Sequence, residues 1–334
     1  MATINRILVP TDFSDSAELA YSFAGKLAQD YGGVIDLLHV IPSVIYLDEQ
    51  LQNKTDLPDL EEEYYPHLFN NTEIQLDKMM KKHFDFENRG DTYVKVDRKP
   101  SELISRHAED GNYSIIIMMA KGKHQSAMFR GSTTEQLVRR SKVPVLTVTS
   151  DSDIGKVNSI LVPTDGSLRS IAAMPTAVKL ANTLGASITL LYVNEAYGLI
   201  SNHFSSKASH TRNHEIEDHI IGRLIEFSKE SSLPEYKIAE DKRRFPLNVV
   251  SSVSGKSNSV EVHIDIITGF SAHHEITEYA NKNADLVIMT THGRSGLAHL
   301  VMGSIAEKVA LNVGKSILMI RPESKLFKKN RVES

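Results

Sequence analysis

The residues best able to hold a ligand lie in the second half of the sequence, where glycines, hydroxyls and one carboxylate follow in order. Nine residues separate Gly293 from Gly303-Ser304. Glycines let a backbone turn tightly and bring its N–H groups close to phosphate oxygens. A helix opening at Ser304 adds unpaired N–H donors and the positive end of its dipole. With Arg294 as counter-charge, the stretch reads as a phosphate cradle. Upstream, Pro163-Thr164-Asp165-Gly166-Ser167 offers a carboxylate able to accept from a ribose hydroxyl or an adenine amine. Val193 offers an apolar wall for a flat base, Met289 and Thr290 lead into the glycine loop, and Ile305 follows the serine. Glycine spacing is a weak signal alone. The plain alternatives stand beside it: Asp165 and its first-half equivalent Asp12 as turn anchors or helix caps, and Gly303 as mere easement of a helix entry.

Other chemistries find less support. The chain has no cysteine, which removes disulfides and thiolate catalysis and fits a cytoplasmic protein. His203, His210, His214 and His219 fall in a polar stretch whose spacing suits a solvated segment better than a metal site. No paired carboxylates, Ser/His/Asp arrangement or GxxxxGK[ST] loop can be assembled, so catalysis is not expected beyond a weak ATPase activity. Lys plus Arg (38) nearly balances Asp plus Glu (42), leaving no field to hold nucleic acid. The apolar runs are far shorter than the ~20 residues of a membrane helix, and the N-terminus lacks a signal-peptide layout.

The elements that must position these residues occur twice. Ile7-Leu8-Val9-Pro10-Thr11-Asp12 returns as Ile160-Leu161-Val162-Pro163-Thr164-Asp165, an offset of 153 that also maps Lys26-Leu27-Ala28 onto Lys179-Leu180-Ala181 and Val40 onto Val193. Near the ends, Gly131-Ser132 maps onto Gly303-Ser304 and Glu135 onto Glu307 at an offset of 172, so the second half carries about nineteen more residues, placed between about 201 and 258. A period this long is a duplicated domain rather than a solenoid. Each half reads as alternating strands and helices: strands near 6–10, 34–41, 93–97, 114–119 and 143–148, with helices near 73–84, 101–109 and 133–140 and another after the first strand. In the second half helices near 215–231, 273–283 and 304–312 follow the same plan. Ser14 or Ser16, and Ser167, are candidate caps for each first helix. The expectation is an α/β protein of two tandem doubly wound domains, residues 1–150 and 156–323. Each has a five-stranded parallel sheet with helices on both faces, and a pseudo-twofold relates them. In such sheets ligands bind beyond the carboxyl ends of the strands, where strand order reverses.

The PxDGS opening, the THGRSG loop and the Gly-Ser helix start, in this order, resemble the universal stress protein family across nearly all of both halves. The resemblance implies ATP (or ADP or AMP, with magnesium) as ligand, and a stress or regulatory role. It also implies dimerisation, met here by internal pairing of the two domains through their last strands; whether whole chains pair further, as a homodimer, is left open by the sequence. Carried over, Asp165 and Val193 hold base and ribose, and Gly293, Gly303 and Ser304 hold phosphates. Thr290 departs from the family pattern, standing where its first glycine belongs, and a β-branched residue hinders a positive φ there. The first half keeps Asp12, Val40, Gly122, Gly131 and Ser132, but has Met119 at the first glycine position and only eight residues between Gly122 and Gly131. A scaffold with no nucleotide is the competing expectation.

Overall fold

The computed structural model describes residues 4–42, 65–120, 132–195, 206–230, 236–238, 247–253, 256–291 and 302–321. The first unit runs β1 (Arg6–Pro10), α1 (Ala17–Tyr31), β2 (Val34–Pro42), α2 (Tyr65–His83), β3 (Arg89–Asp97), α3 (Pro100–Asp110), β4 (Ile115–Met119), α4 (Ser132–Arg140) and β5 (Val145–Val148). The second runs β6 (Ser159–Thr164), α5 (Leu168–Ile171), α6 (Met174–Leu184), β7 (Ser187–Glu195), α7 (Ser206–Glu230), β8 (Tyr236–Ile238), β9 (Leu247–Val253) and β10 (Lys256–Gly269). It closes with α8 (Ala272–Asn283), β11 (Leu286–Thr290), α9 (Ser304–Asn312) and β12 (Ser316–Ile320).

Strands such as β4 (IIIMM) and β11 (LVIMT) are almost wholly apolar and are buried at every position. Continuous apolar runs of this kind suit parallel strands covered on both faces. The strand order is β3-β2-β1-β4-β5-β12-β11-β6-β7-β10-β9-β8. Each unit thus contributes five parallel strands, and the last strands join antiparallel, with Val145 opposite Met319, Leu146 opposite Leu318 and Thr147 opposite Ile317. Helices cover both faces. One apolar layer draws on α1, α2, α6 and α7, the other on α3, α4, α8 and α9, and both layers extend through the two units.

Several features depart from the sequence expectation, among them α7, which begins at Ser206 rather than near 215. The longer second half adds β8 and β9, which pair antiparallel to extend the sheet beyond β10, where the sequence alone predicts a polar segment. Helix α2 begins at Tyr65 rather than near 73, with Pro66 in the first turn, where its missing N–H is harmless. The helix after β6 is split into α5 and α6, whereas its first-unit equivalent α1 is unbroken. Pro175 explains the break: it cannot donate to the carbonyl four residues back, while Ser22 stands at its place in α1.

The candidate caps also divide. Ser167 caps α5 by accepting from the Ser170 N–H at 3.2 Å. Ser16 makes no such bond, and the Ser14 hydroxyl donates instead to Asp12 at 2.6 Å.

At the opposite, amino edge of the first unit, buried Asp36 accepts from Arg6 Nε at 2.8 Å and from the Tyr113 hydroxyl at 2.5 Å. Burial and this carboxylate push the Tyr113 phenol well above its ordinary range.

Candidate functional site

Strand order reverses between β1 and β4 in the first unit, and between β6 and β11 in the second. At both places the ladder is short. β6 and β11 pair only through Ile160–Leu286 and Leu161–Val287, and β1 and β4 only through Ile7–Ile115 and Leu8–Ile116. The remaining residues of β6 and β11 run on toward the carboxyl edge outside this ladder, and the crevice expected for ligands in folds of this kind falls at that switch point.

On one side of the second-unit crevice β6 ends in Pro163 and Thr164, both buried. The Thr164 hydroxyl pairs with the Ser170 hydroxyl at 2.8 Å and accepts from the Gly166 N–H at 3.0 Å. Asp165 Oδ1 accepts from the Ser167 N–H at 3.0 Å, an Asx turn that fixes the carboxylate at the strand's end. The turn requires a left-handed residue, and Gly166 supplies it at φ 76°. Val193, half-buried on the α8/α9 face, stands on β7 just beyond β6, opposite Ile267 of β10.

On the other side, Met289 is buried on that same face and Thr290 ends β11 opposite Ile320. The Thr291 carbonyl then accepts from the Gly303 N–H at 2.8 Å, which ties the start of α9 to the end of β11. Gly303 occupies the cap position with no side-chain cap, Ser304 opens the helix, and Ile305 is exposed. The first-turn N–H groups of such a helix have no intrahelical acceptor and point outward from its end.

Two expectations change. No positive φ is needed at Thr290, which lies in extended strand and is not among the positive-φ residues, so its β-branch meets no backbone obstacle. Gly303 has φ −63°, so its backbone would suit other residues, and any need for glycine there comes from the missing side chain. Gly293, Arg294, Gly122 and Gly131 lie outside the described residues. Sequence reasoning misses Ser170 and Thr291, because a hydroxyl pairing within a helix turn and a carbonyl closing a loop leave no periodic signal.

The first unit repeats the turn with different chemistry. Asp12 Oδ1 accepts from the Ser14 N–H at 3.1 Å, and Phe13, at φ 58°, takes the place of Gly166. The Phe13 ring packs on His39 with centroids 4.6 Å apart, beside Val40 at the end of β2. His39 Nδ1 sits 2.8 Å from the Thr11 carbonyl, so that nitrogen carries the proton, and burial holds the ring's pKa below its ordinary value. The Thr11 hydroxyl is anchored by Tyr21 at 2.5 Å, where the second unit uses Ser170. Met119 ends β4, buried, and its carbonyl accepts from the Thr134 hydroxyl at 3.1 Å in α4, which opens at Ser132. Among the described residues no group of three or more metal-ligating side chains is clustered, and no helix is long and apolar enough to cross a membrane.

Comparison with known proteins bears on this arrangement directly. The model of the universal stress protein family matches residues 3–149 and again 156–321. The chain belongs to that family. A universal stress protein of Mycolicibacterium smegmatis is 24% identical over 328 residues, covering 96% of this chain and 98% of that one. Universal stress protein MJ0577 of Methanocaldococcus jannaschii is 33% identical over 157 residues, covering 43% of this chain and 93% of its own. Among solved structures, a universal stress protein from Archaeoglobus fulgidus superposes with a TM-score of 0.60 at 18% identity, over 95% of this chain and 98% of that one. That likeness shows a shared tandem fold.

Proposed function

We propose that the second unit binds an adenine nucleotide, ATP, in the β6/β11 crevice, and that occupancy regulates the protein's partners. The observation that carries this reading is the reversal of strand order between β6 and β11, with Asp165 at the end of one strand and the opening of α9 tied to the end of the other. The residues present fit such a ligand. Asp165 and Val193 flank the base and ribose end, and the first-turn N–H groups of α9, with Gly303 and Ser304 at its mouth, face the phosphate end. Thr290 in extended strand leaves the backbone there unstrained. Gly293 by the family pattern, Arg294 as counter-charge, and Met289 and Ile305 beside the loop complete the proposed set, on domains we divide as 1–150 and 156–323.

The first unit supports a different reading. Buried Met119 stands at the first glycine position of that pattern, and the Phe13–His39 pair occupies the mouth of the turn. We assign this unit a supporting role, its Asp12, Val40 and Ser132 holding nucleotide weakly or not at all.

Calorimetry with Mg-ATP tests both statements. Wild type should bind close to one nucleotide per chain. Asp165→Ala should weaken binding about tenfold or more, the usual cost of losing a hydrogen bond to a charged group. Asp12→Ala should leave it unchanged. Unchanged affinity in a folded Asp165→Ala protein, or no heat at millimolar ATP, would reject the assignment in favour of a nucleotide-free scaffold.

A further inference from the structure

The two units meet through more than their last strands. Because β5 and β12 are antiparallel, the helices that lead into them, α4 and α9, also run in opposite senses. The last turn of α4 therefore lies by the first turn of α9. Arg139, in that last turn, contacts two carboxylates through one nitrogen. Its Nη2 lies 2.7 Å from Glu135, one turn back on α4, and 2.7 Å from Glu307 on α9. The Arg139 carbonyl accepts from Arg321 Nη2 at 2.8 Å, at the end of β12.

Glu135 and Glu307 are equivalent residues of the duplicated domain. Each sits in the first turn of a helix that opens at the end of its unit's crevice. Arg139 has no counterpart, since the residue 172 positions later is Leu311. One cation thus balances two carboxylates that belong to two helix openings, and the balance is asymmetric by sequence.

We propose that Arg139 couples the two helix openings, so that anionic ligand bound at α9 weakens the first turn of α4. This rests on the nucleotide reading of the second unit. Phosphate negative charge arriving at the start of α9 lies within about one helical turn, 5.4 Å, of the Glu307 position and strengthens the local demand for a cation. The guanidinium then shifts toward α9 and its bond to Glu135 loosens. Glu135 is left less compensated, and a second anion at α4 is disfavoured. The units become antagonistic through a shared charge, with no rearrangement of the sheet.

Hydrogen exchange of the full chain, with and without Mg-ATP, tests the coupling. In wild type, amides of α9 should slow while those of α4 exchange faster, by about fivefold, the lower end of usual coupling between sites. Arg139→Leu, which copies the residue found at position 311, should abolish the α4 response and keep that of α9. Glu135→Gln provides a second variant that leaves the Arg139–Glu307 pair intact, and it too should silence α4. An unchanged α4 in wild type, with α9 slowed, overturns the coupling and spares the nucleotide reading. An α4 response that survives in both variants overturns Arg139 as its carrier. Absence of any response together with absence of binding heat overturns the nucleotide reading and the coupling with it.

Discussion

Burial lowers the pKa of three first-unit histidines, His39, His83 and His107, below the ordinary 6.5. Nearby acids oppose the shift in each case, Asp12 at His39, Glu18 at His83 and Asp36 at His107, but burial dominates. A base whose folded pKa is depressed is protonated first in the unfolded chain. Stability is therefore full above about 6.5 and is lost as pH falls toward the folded values. The melting temperature should drop between about pH 7 and pH 5, before Glu18, itself held low by its Lys82 hydrogen bond, begins to titrate. A His83→Gln, His107→Gln double variant should lose less over the same interval, measured by thermal denaturation; an identical slope would refute the assignment. At this scale the sequence is informative where chemistry is local. Asp165 and Gly166 can be placed because a turn after a strand needs a side-chain acceptor and a positive φ within two residues. Tyr21 beneath Thr11, and Ser170 beneath Thr164, cannot, since each contact depends on how the following helix sits on the strand's end.

Among elements, the contrast between α1 and the α5–α6 pair is the sharpest test of the repeat. Residues 153 apart carry the same apolar stripe, and both α1 and α6 end at a left-handed glycine, Gly32 and Gly185. Pro175 marks the difference between their interiors. Pro175→Ser should let α5 and α6 join, with the amides of Met174 and Thr176, now in the first turn of α6, gaining protection from exchange relative to wild type. Persistent fast exchange there would place the cause in the Ser167–Ser170 cap instead. Strand identities are readable because buried parallel strands are apolar at nearly each position, and helix starts such as Ser304 because a glycine-serine pair precedes an apolar period. Strand β9 is not. Its Ser251 and Ser252 resemble a loop, and only pairing with β8 and β10 makes it a strand.

At the scale of the molecule, the question is whether two homologous units behave as one. Their apolar layers are not separate. One contains Leu146 and Val148 from β5 together with Leu318 and Ile320 from β12, and the other contains Val145 with Ile317 and Met319. The chain that follows β5 adds polar ties, with the Thr149 N–H donating to the Ser316 hydroxyl at 3.1 Å and Ser152 sharing that hydroxyl at 2.6 Å. Pairing β5 with β12 also covers two edges that would otherwise invite association with other chains. A seam packed as a core should transmit unfolding. Calorimetry should show one transition for the chain, and Leu318→Ala, which opens a cavity at the seam, should cost about 2–5 kcal/mol and lower that single transition as a whole. Two resolved transitions, with only the second-unit one displaced by the substitution, would mean that the β5–β12 seam joins the units without making them cooperative. Arg139 would then link two helix openings across a joint too soft to hold them in register.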